Sequence, residues 1–327
     1  MTDRSTGVAM TFGSFGRLCA TATALALVAW GPGAIAHADS TPPPRPTVIA
    51  AMEMPAPTGI GFDEATSRIT VAGNSDGVVR IVDPATWALV AELPTDVPGQ
   101  ELVQMFPEAG RAYVLGREPI VNVIDVAAGS LVEQIPMNPE DRNAAGSVMS
   151  QADVPLLLAS FAPGASPGAV ALISTVTNFR RGTIVLPFET AGMVIPKDRL
   201  VLVVASPNSG NVLFLDSRFT PLAEVPTGGT PTTLVASADG SRIYAANPTS
   251  GRIDVIDTDS QQLVGSIETG LGVRHMALSP GGQRLAATIP EAGEVLDIDL
   301  ATARVVSRDV VGSQVAGVTF GGDERVV

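Results

Sequence analysis

The stretch RIYAANPTSGRIDVIDTDSQQLVGSIETG, residues 242–270, contains three short apolar runs separated by the polar turns NPTSG and DTDSQQ. Short runs rich in β-branched residues, bounded by Gly, Pro, Asn and Asp, are typical of strands joined by tight turns. No ten-residue part of the stretch has apolar residues at helical spacing. The stretch therefore predicts an antiparallel meander.

Similar text recurs along the chain about every 42 residues. The hairpin VVRIVDPATWALVAELP (78–94) has relatives at 120–136, 211–226, 251–269 and 293–310, and a weaker copy at 168–187. A second pair of apolar runs precedes each hairpin, so each unit contains four strands. Four short strands every ~40–45 residues are the signature of a β-propeller blade.

We predict an all-β chain with six full blades, at 59–94, 102–136, 147–187, 192–226, 233–269 and 275–309. Residues 46–55 and 315–327 supply about three further strands. Because a propeller can close its ring by pairing the two chain ends in one blade, we expect a single propeller of four-stranded blades. Seven blades, the last one shared by both termini, is the first expectation, and six blades is the alternative.

Residues 242–270 resemble the YVTN-type β-propeller repeat, with Tyr244-Ala245-Ala246-Asn247 in the place of the tetrapeptide that names it. The resemblance covers 59–310 in six copies. The family includes the YncE-like periplasmic propellers, and the resemblance implies an exported, WD40-like repeat protein. It implies no catalytic motif that could be transferred to this chain.

The first 38 residues are predicted to be a cleaved export signal. Arg4 and Arg17 form a basic region, 18–30 are apolar, and 36–38 (AHA) match a signal-peptidase site. The apolar run is shorter than the ~20 residues that span a bilayer, so no transmembrane segment is expected after cleavage. A Pro-rich spacer at 39–46 precedes the propeller domain at 47–327.

Composition restricts source and chemistry. Arg, Ala, Gly and Val are abundant and Lys197 is the sole lysine, which favours an actinobacterial source. The predicted export signal implies a periplasmic, cell-envelope or extracellular location. The net charge of −13 argues against nucleic-acid binding. Outside the predicted signal there is one histidine, His275, and no cysteine. We therefore expect no metal, no cofactor and no catalytic residue.

An arginine begins the second strand of most blades, and an aspartate ends the third. Because these strands are antiparallel neighbours, the two residues are expected to lie side by side. They form either a ring of charge around the channel mouth or a structural ion pair in each blade, and we favour the structural pair. The predicted pairs are Arg68–Asp83, Arg111–Asp125, Arg199–Asp216, Arg242–Asp257 and Arg284–Asp299.

The third blade lacks both residues of this pair, with Val154-Pro155 and Ser174 in the two positions. It also carries the sequence NFRRG (178–182). In repeat proteins, irregular copies often form the binding face, although a decayed blade with a solvated turn would look the same. The predicted ligand-binding residues are Arg142, Asn178, Arg180, Arg181, Arg274 and His275.

These features favour a monomeric, non-catalytic binding or scaffold propeller, whose partner is a protein, a peptide or a cell-envelope component. The alternative is a lactonase-like hydrolase with a divalent metal held by carboxylates in the channel. A channel lined by Val, Ser, Thr and Met would favour binding, and three or more carboxylate or amide side chains around the axis would favour the hydrolase.

Overall fold

The computed structural model describes residues 23–29 and 47–327, apart from 55, 74, 96, 98, 107–109, 117, 119, 138–144, 152–153, 162–167, 271, 313–314 and 322–325. This part of the chain is all β and contains no helix. Two strands precede the repeats: β1 (Thr23–Ala29) pairs antiparallel with β2 (Thr47–Met54). Twenty-four further strands form six four-stranded antiparallel sheets.

Each sheet is one blade, and its strands follow one another in chain order. Blade one contains β3 (Pro57–Asp63), β4 (Arg68–Gly73), β5 (Val78–Asp83) and β6 (Ala88–Pro94); blade two contains β7 (Gln100–Phe106), β8 (Arg111–Gly116), β9 (Ile120–Asp125) and β10 (Ser130–Pro136); blade three contains β11 (Ala145–Gln151), β12 (Val154–Phe161), β13 (Ala169–Ser174) and β14 (Phe179–Val185). Blade four contains β15 (Met193–Val194), β16 (Leu202–Ser206), β17 (Asn211–Leu215) and β18 (Pro221–Pro226); blade five contains β19 (Leu234–Ala236), β20 (Arg242–Asn247), β21 (Arg252–Asp257) and β22 (Gln262–Glu268); blade six contains β23 (His275–Leu278), β24 (Arg284–Ile289), β25 (Glu294–Asp299) and β26 (Arg304–Val310).

Burial across the blade explains these strand sequences. The second and third strands are covered on both faces by neighbouring blades, so they read as largely apolar runs, as in LVVAS of β16. The outermost strand is half-exposed and alternates, as in RVVSRDV of β26. The first strands of consecutive blades contact one another around the channel. The prediction of a propeller built from four-stranded blades is confirmed.

The ring closes through hydrophobic clusters that join each blade to the next. Between blades six and one, the C-terminal segment takes the place of a blade. Val318 and Phe320 pack on Ala286 of blade six, while Val327 packs with Met54 on Ile69 of blade one. The two ends of the chain therefore meet in the closing position, as expected for a shared seventh blade.

The closing position holds less than a regular blade among the described residues. Phe320 and Val326 form an isolated bridge, and two backbone hydrogen bonds of 3.0 and 2.8 Å join Thr319 and Val327. The ring thus has six four-stranded blades, which is the six-bladed alternative, with a thin seventh element between blades six and one.

The leader and spacer predictions remain predictions. Residues 1–22 and 30–46, which include the predicted cleavage site and the Pro-rich spacer, lie outside the described residues. Residues 23–29, within the predicted signal, form β1 against β2 in the full-length chain.

Closure can be tested at Met54, which is buried beside Trp87 and Val327. Met54→Ala removes these contacts and should lower the free energy of unfolding by about 2–5 kcal/mol. Urea unfolding of residues 39–327 measures this through Trp87, the one tryptophan in that span. Leu200→Ala, at a side chain that is 90% exposed, is the control. Equal stability of the two variants would contradict a packed closing position.

Candidate functional site

The predicted arginine–aspartate pairs are replaced by contacts between blades in three cases. Arg68 donates to the carbonyls of Val126 and Ala127 at 2.6 Å each, on the β9–β10 turn of blade two. Arg111 donates to the side-chain oxygen of Asn178 at 3.0 Å, on the β13–β14 turn of blade three.

Arg199 makes the third contact of this kind, an ion pair of 2.7 Å with Asp259 on the β21–β22 turn of blade five. The predictions Arg68–Asp83, Arg111–Asp125 and Arg199–Asp216 are therefore corrected as direct pairs, although the charge of Arg68 still contributes to the lowered pKa of Asp83. These guanidinium groups extend past their own blade because the turn of the next blade offers carbonyl, amide or carboxylate oxygens.

Two arginines do pair within their own blade. Arg242 lies opposite Asp257 in the register and forms an ion pair with it. Arg284 also lies opposite its predicted partner, Asp299. It nevertheless bonds the carboxylate of Asp297 through two nitrogens, at 3.0 and 2.5 Å, so this predicted pair is corrected as well. A bidentate contact with Asp297, which lies on the same strand as Asp299, replaces the expected one.

The predicted aspartates cap the turn that follows the third strand. Asp83, for example, accepts from the backbone N–H of Ala85 at 2.8 Å. This hydrogen bond lowers the pKa of Asp83, and the corresponding bonds from Thr220 and Ser260 lower the pKa of Asp216 and Asp257. Asp125 and Asp299 bond the third residue on in the same way. These aspartates are therefore turn residues.

Asn178, a predicted ligand-binding residue, is buried in the interface between blades two and three. Its side-chain oxygen accepts from Arg111 and, at 3.3 Å, from the hydroxyl of Tyr113. Its φ angle of 51° is uncommon for a residue other than glycine. Asn178 is thus unavailable to a ligand, and asparagine tolerates the left-handed conformation of this turn position better than most residues do.

The equivalent turn position supplies aromatic contacts elsewhere in the ring. Trp87 (φ 57°) packs beside Met52 and Met54 in the closing position. Phe219 (φ 63°) joins the cluster of Leu156 and Leu172 in blade three. Phe219 therefore serves the interface where blade three has no arginine to reach the next turn. The aligned turns carried this signal with an offset of one residue, since Trp87 follows Asp83 by four residues and Phe219 follows Asp216 by three.

The remaining predicted ligand residues lie in two separate places. Arg180 and Arg181 are on β14, the outermost strand of blade three, where Arg181 is exposed and Arg180 donates to the hydroxyl of Thr183. Arg274 and His275 are at the start of β23, the innermost strand of blade six. Arg142 lies outside the described residues.

A cavity of about 150 Å³ opens beside His275 in the channel. Its walls come from the first strands of blades one, two and six and from the C-terminal segment, a contribution that sequence reasoning missed. The lining residues are Thr58, Gly59, Ile60, Leu102, Val103, His275, Met276, Gly317 and Val318. A side chain at Gly317 would lie 3.0 Å from Ile60, so glycine lets the C-terminal segment approach blade one.

His275 is the one ionisable residue in this lining. Burial lowers its pKa to about 4, with a smaller contribution from the neighbouring charge of Arg274. The imidazole is therefore neutral at neutral pH and offers one N–H donor and one nitrogen acceptor. The side chain of Arg274 is exposed, and its backbone carbonyl accepts from Thr233 of blade five at 2.7 Å.

In the described part of the chain, no three His, Cys, Asp or Glu side chains lie close enough together to hold a metal ion. The described ranges also include no apolar helix of membrane-spanning length.

Comparison with known proteins gives one curated relative. Protein NirF of Stutzerimonas stutzeri is 21% identical over 277 residues, covering 76% of this chain and 68% of NirF. No family model matches the chain.

The fold has a counterpart among solved structures. The Kuenenia stuttgartiensis Hydrazine Synthase structure superposes with a TM-score of 0.71 at 17% sequence identity, covering 83% of this chain and 91% of that one. The chain is a β-propeller. At this identity, the likeness concerns architecture alone.

The ionisation of His275 can be measured directly. In residues 39–327 it is the one histidine, so a single imidazole signal reports its titration by NMR. We expect a midpoint near pH 4. A midpoint near 6.5, the ordinary value, would contradict the buried position.

The same shift predicts a dependence of stability on pH. Because the folded pKa lies below the unfolded value, the unfolded chain binds the proton first. The free energy of unfolding should therefore fall by up to about 3 kcal/mol between pH 6.5 and 4. The carboxylates also change the free energy of unfolding in this pH range. The difference between the protein and His275→Gln, which lacks this titrating group, gives the part that is due to His275.

Proposed function

We propose that this chain is an exported, non-catalytic binding or scaffold protein of the YVTN or YncE-like type, which holds its ligand at the channel mouth beside β23. The observation that carries the proposal is that His275, a half-buried and neutral imidazole, lines a cavity and has the exposed Arg274 beside it in the chain.

This pairing suits an anionic group. An exposed guanidinium attracts a carboxylate or phosphate and can bond it through two nitrogens. A neutral imidazole adds one hydrogen bond without a charge of its own. The ligand is therefore a protein, a peptide or a cell-envelope component that presents a carboxylate or phosphate.

The size of the cavity sets how the ligand binds. Sites that enclose a small molecule measure ~300–1,000 Å³, and this cavity is about 150 Å³. Only a terminal group enters the channel, and the rest of the ligand lies on the surrounding loops. Such an arrangement favours recognition of the end of a larger molecule.

The location and source of the protein are proposed from its sequence. The basic and apolar leader followed by 36–38 supports export to the periplasm, cell envelope or exterior, and the composition supports an actinobacterial source. The protein acts as a monomer. Its acidic surface, with a net charge of −13, makes the exposed Arg274 a local attractive site for anions.

Affinity capture tests the role of Arg274. Immobilised residues 39–327 are incubated with an extract of the cell's own envelope, and the bound components are measured beside Arg274→Ala. Loss of a charge-assisted contact should weaken retention at least about tenfold. Arg218→Ala, at an exposed arginine on the β17–β18 turn, is the matched control and should retain the ligand.

Two results would contradict the proposal. Equal retention by both variants, or no retained component above background, would remove the binding site from the channel mouth. Turnover of a lactone with added calcium, abolished by a chelator, would instead establish the lactonase-like alternative.

A further inference from the structure

We propose a second interaction surface on blade three, separate from the channel mouth: the turn and outer strand at residues 176–185 bind an acidic, partly apolar segment of a partner protein. This surface is called the blade-three edge. It comprises Val176, Phe179, Arg181 and Val185, whose side chains are exposed.

A register shift recurs in every outermost strand and identifies the unusual copy. Each of these strands has a bulge at which one residue has no partner on the third strand. In five blades the bulged residue is an exposed aliphatic side chain: Val90, Val132, Leu222, Val264 and Val306. In blade three it is Arg181. A position that is aliphatic elsewhere is thus a cation here.

Charge distinguishes the blade-three edge from the outermost strands of the other five blades. The outermost strand of every other blade contains an acidic residue: Glu92, Glu133, Glu224, Glu268 and Asp309. The β14 sequence FRRGTIV contains none and has two arginines. In a chain with a net charge of −13, β14 carries the highest positive charge of the six outer strands, ahead of β26, where two arginines are accompanied by Asp309.

Arg181 has no acidic residue opposite it on the third strand of its sheet, unlike charged residues of other outer strands. In blade one, Glu92 of the outer strand pairs with Arg80 of the third strand at 3.0 Å. In blade six, Arg308 pairs with Glu294 at 2.8 Å. The third strand of blade three reads AVALIS and has no acidic residue. The charge of Arg181 is therefore open to a partner's carboxylate.

Exposed apolar groups accompany this charge. Val176 is 72% exposed and Phe179 is 69% exposed, at turn positions where blade two has Ala127 and Ser130. A large exposed aromatic beside an arginine is the composition of an interaction hot spot. Because the bulge at Arg181 interrupts the regular edge, strand addition is disfavoured, and side chains make the contacts. A peptide with both acidic and apolar residues matches the charge of Arg181 and the apolar ring of Phe179.

Binding is tested with fluorescently labelled peptides and the full chain, by anisotropy. The probe is a ten-residue peptide of alternating Glu and Leu, and the comparison ligands are a ten-residue oligo-Glu peptide and polygalacturonate. We expect the Glu-Leu peptide to bind, and to bind more weakly as salt is raised. Arg181→Glu should weaken it at least about tenfold, and Phe179→Ala by about tenfold.

The matched control is Val264→Glu, which introduces the same charge at the equivalent bulge of blade five and should leave binding unchanged. Equal loss in Arg181→Glu and Val264→Glu would overturn the proposal, since it would show a general charge effect. Equal binding of polygalacturonate with no effect of Phe179→Ala would replace the protein segment with a polyanion and also overturn it.

Self-association is the third outcome. Sedimentation of the protein alone should give a monomer, and a dimer that Arg181→Glu dissociates would make the occupant a second copy and contradict a partner protein. None of these variants touches Arg274, so failure here leaves the channel-mouth site standing, and failure there leaves the blade-three edge standing.

Discussion

The ring depends on one recurrent contact, in which the turn between the third and fourth strands of a blade meets the preceding blade. The residue in the left-handed conformation at this turn supplies the contact in several blades. Asn178 receives a guanidinium, whereas Trp87 and Phe219 bury aromatic rings. A hydrogen bond in one blade and aromatic packing in others thus make the same contact between neighbouring blades. Left-handed φ angles recur at Gln261 and at the exposed Ala303, so this conformation belongs to the turn itself and the contacts make use of it.

A second set of contacts joins neighbouring blades on the other face. Threonines that follow the outermost strands present carbonyl oxygens to the next blade. Gln134 bonds the carbonyl of Thr95 at 2.7 Å, and Arg308 bonds that of Thr269 at 2.6 Å. Arg252 bonds Thr227 in the same way. Many conspicuous polar residues of the repeat are therefore used between blades or within turns. Among the described residues, the channel mouth and the blade-three edge are the two places that we propose for binding.

The repeat made the architecture predictable because each copy independently reports the same four strands. Blade boundaries, the antiparallel order and the meeting of the chain ends could all be read from spacing. The hydrogen-bond partners of the arginines could not be read from spacing. Aligned copies show that Arg111 lies opposite Asp125, but which atom its guanidinium reaches depends on the packing of the next blade.

The candidate site was predictable only in part for the same reason. Sequence placed Arg274 and His275 at an innermost strand, but the contribution of Gly317 to the cavity follows from ring closure. Asn178 looked like a ligand residue because it is polar and lies in an irregular copy. Its burial against Tyr113 comes from a neighbouring blade. The exposure of Phe179 could have been anticipated, since the aligned turn residue Ser130 is small.

A double-mutant cycle tests most directly whether the arginines join blades. The free energy of unfolding is measured for Arg111→Ala, Asn178→Ala and their combination, and for the matching cycle with Asp125→Ala. The account predicts a coupling energy of about 1–2 kcal/mol for Arg111 with Asn178 and about zero for Arg111 with Asp125. Strong coupling to Asp125 with none to Asn178 would show an ion pair within the blade and contradict the account.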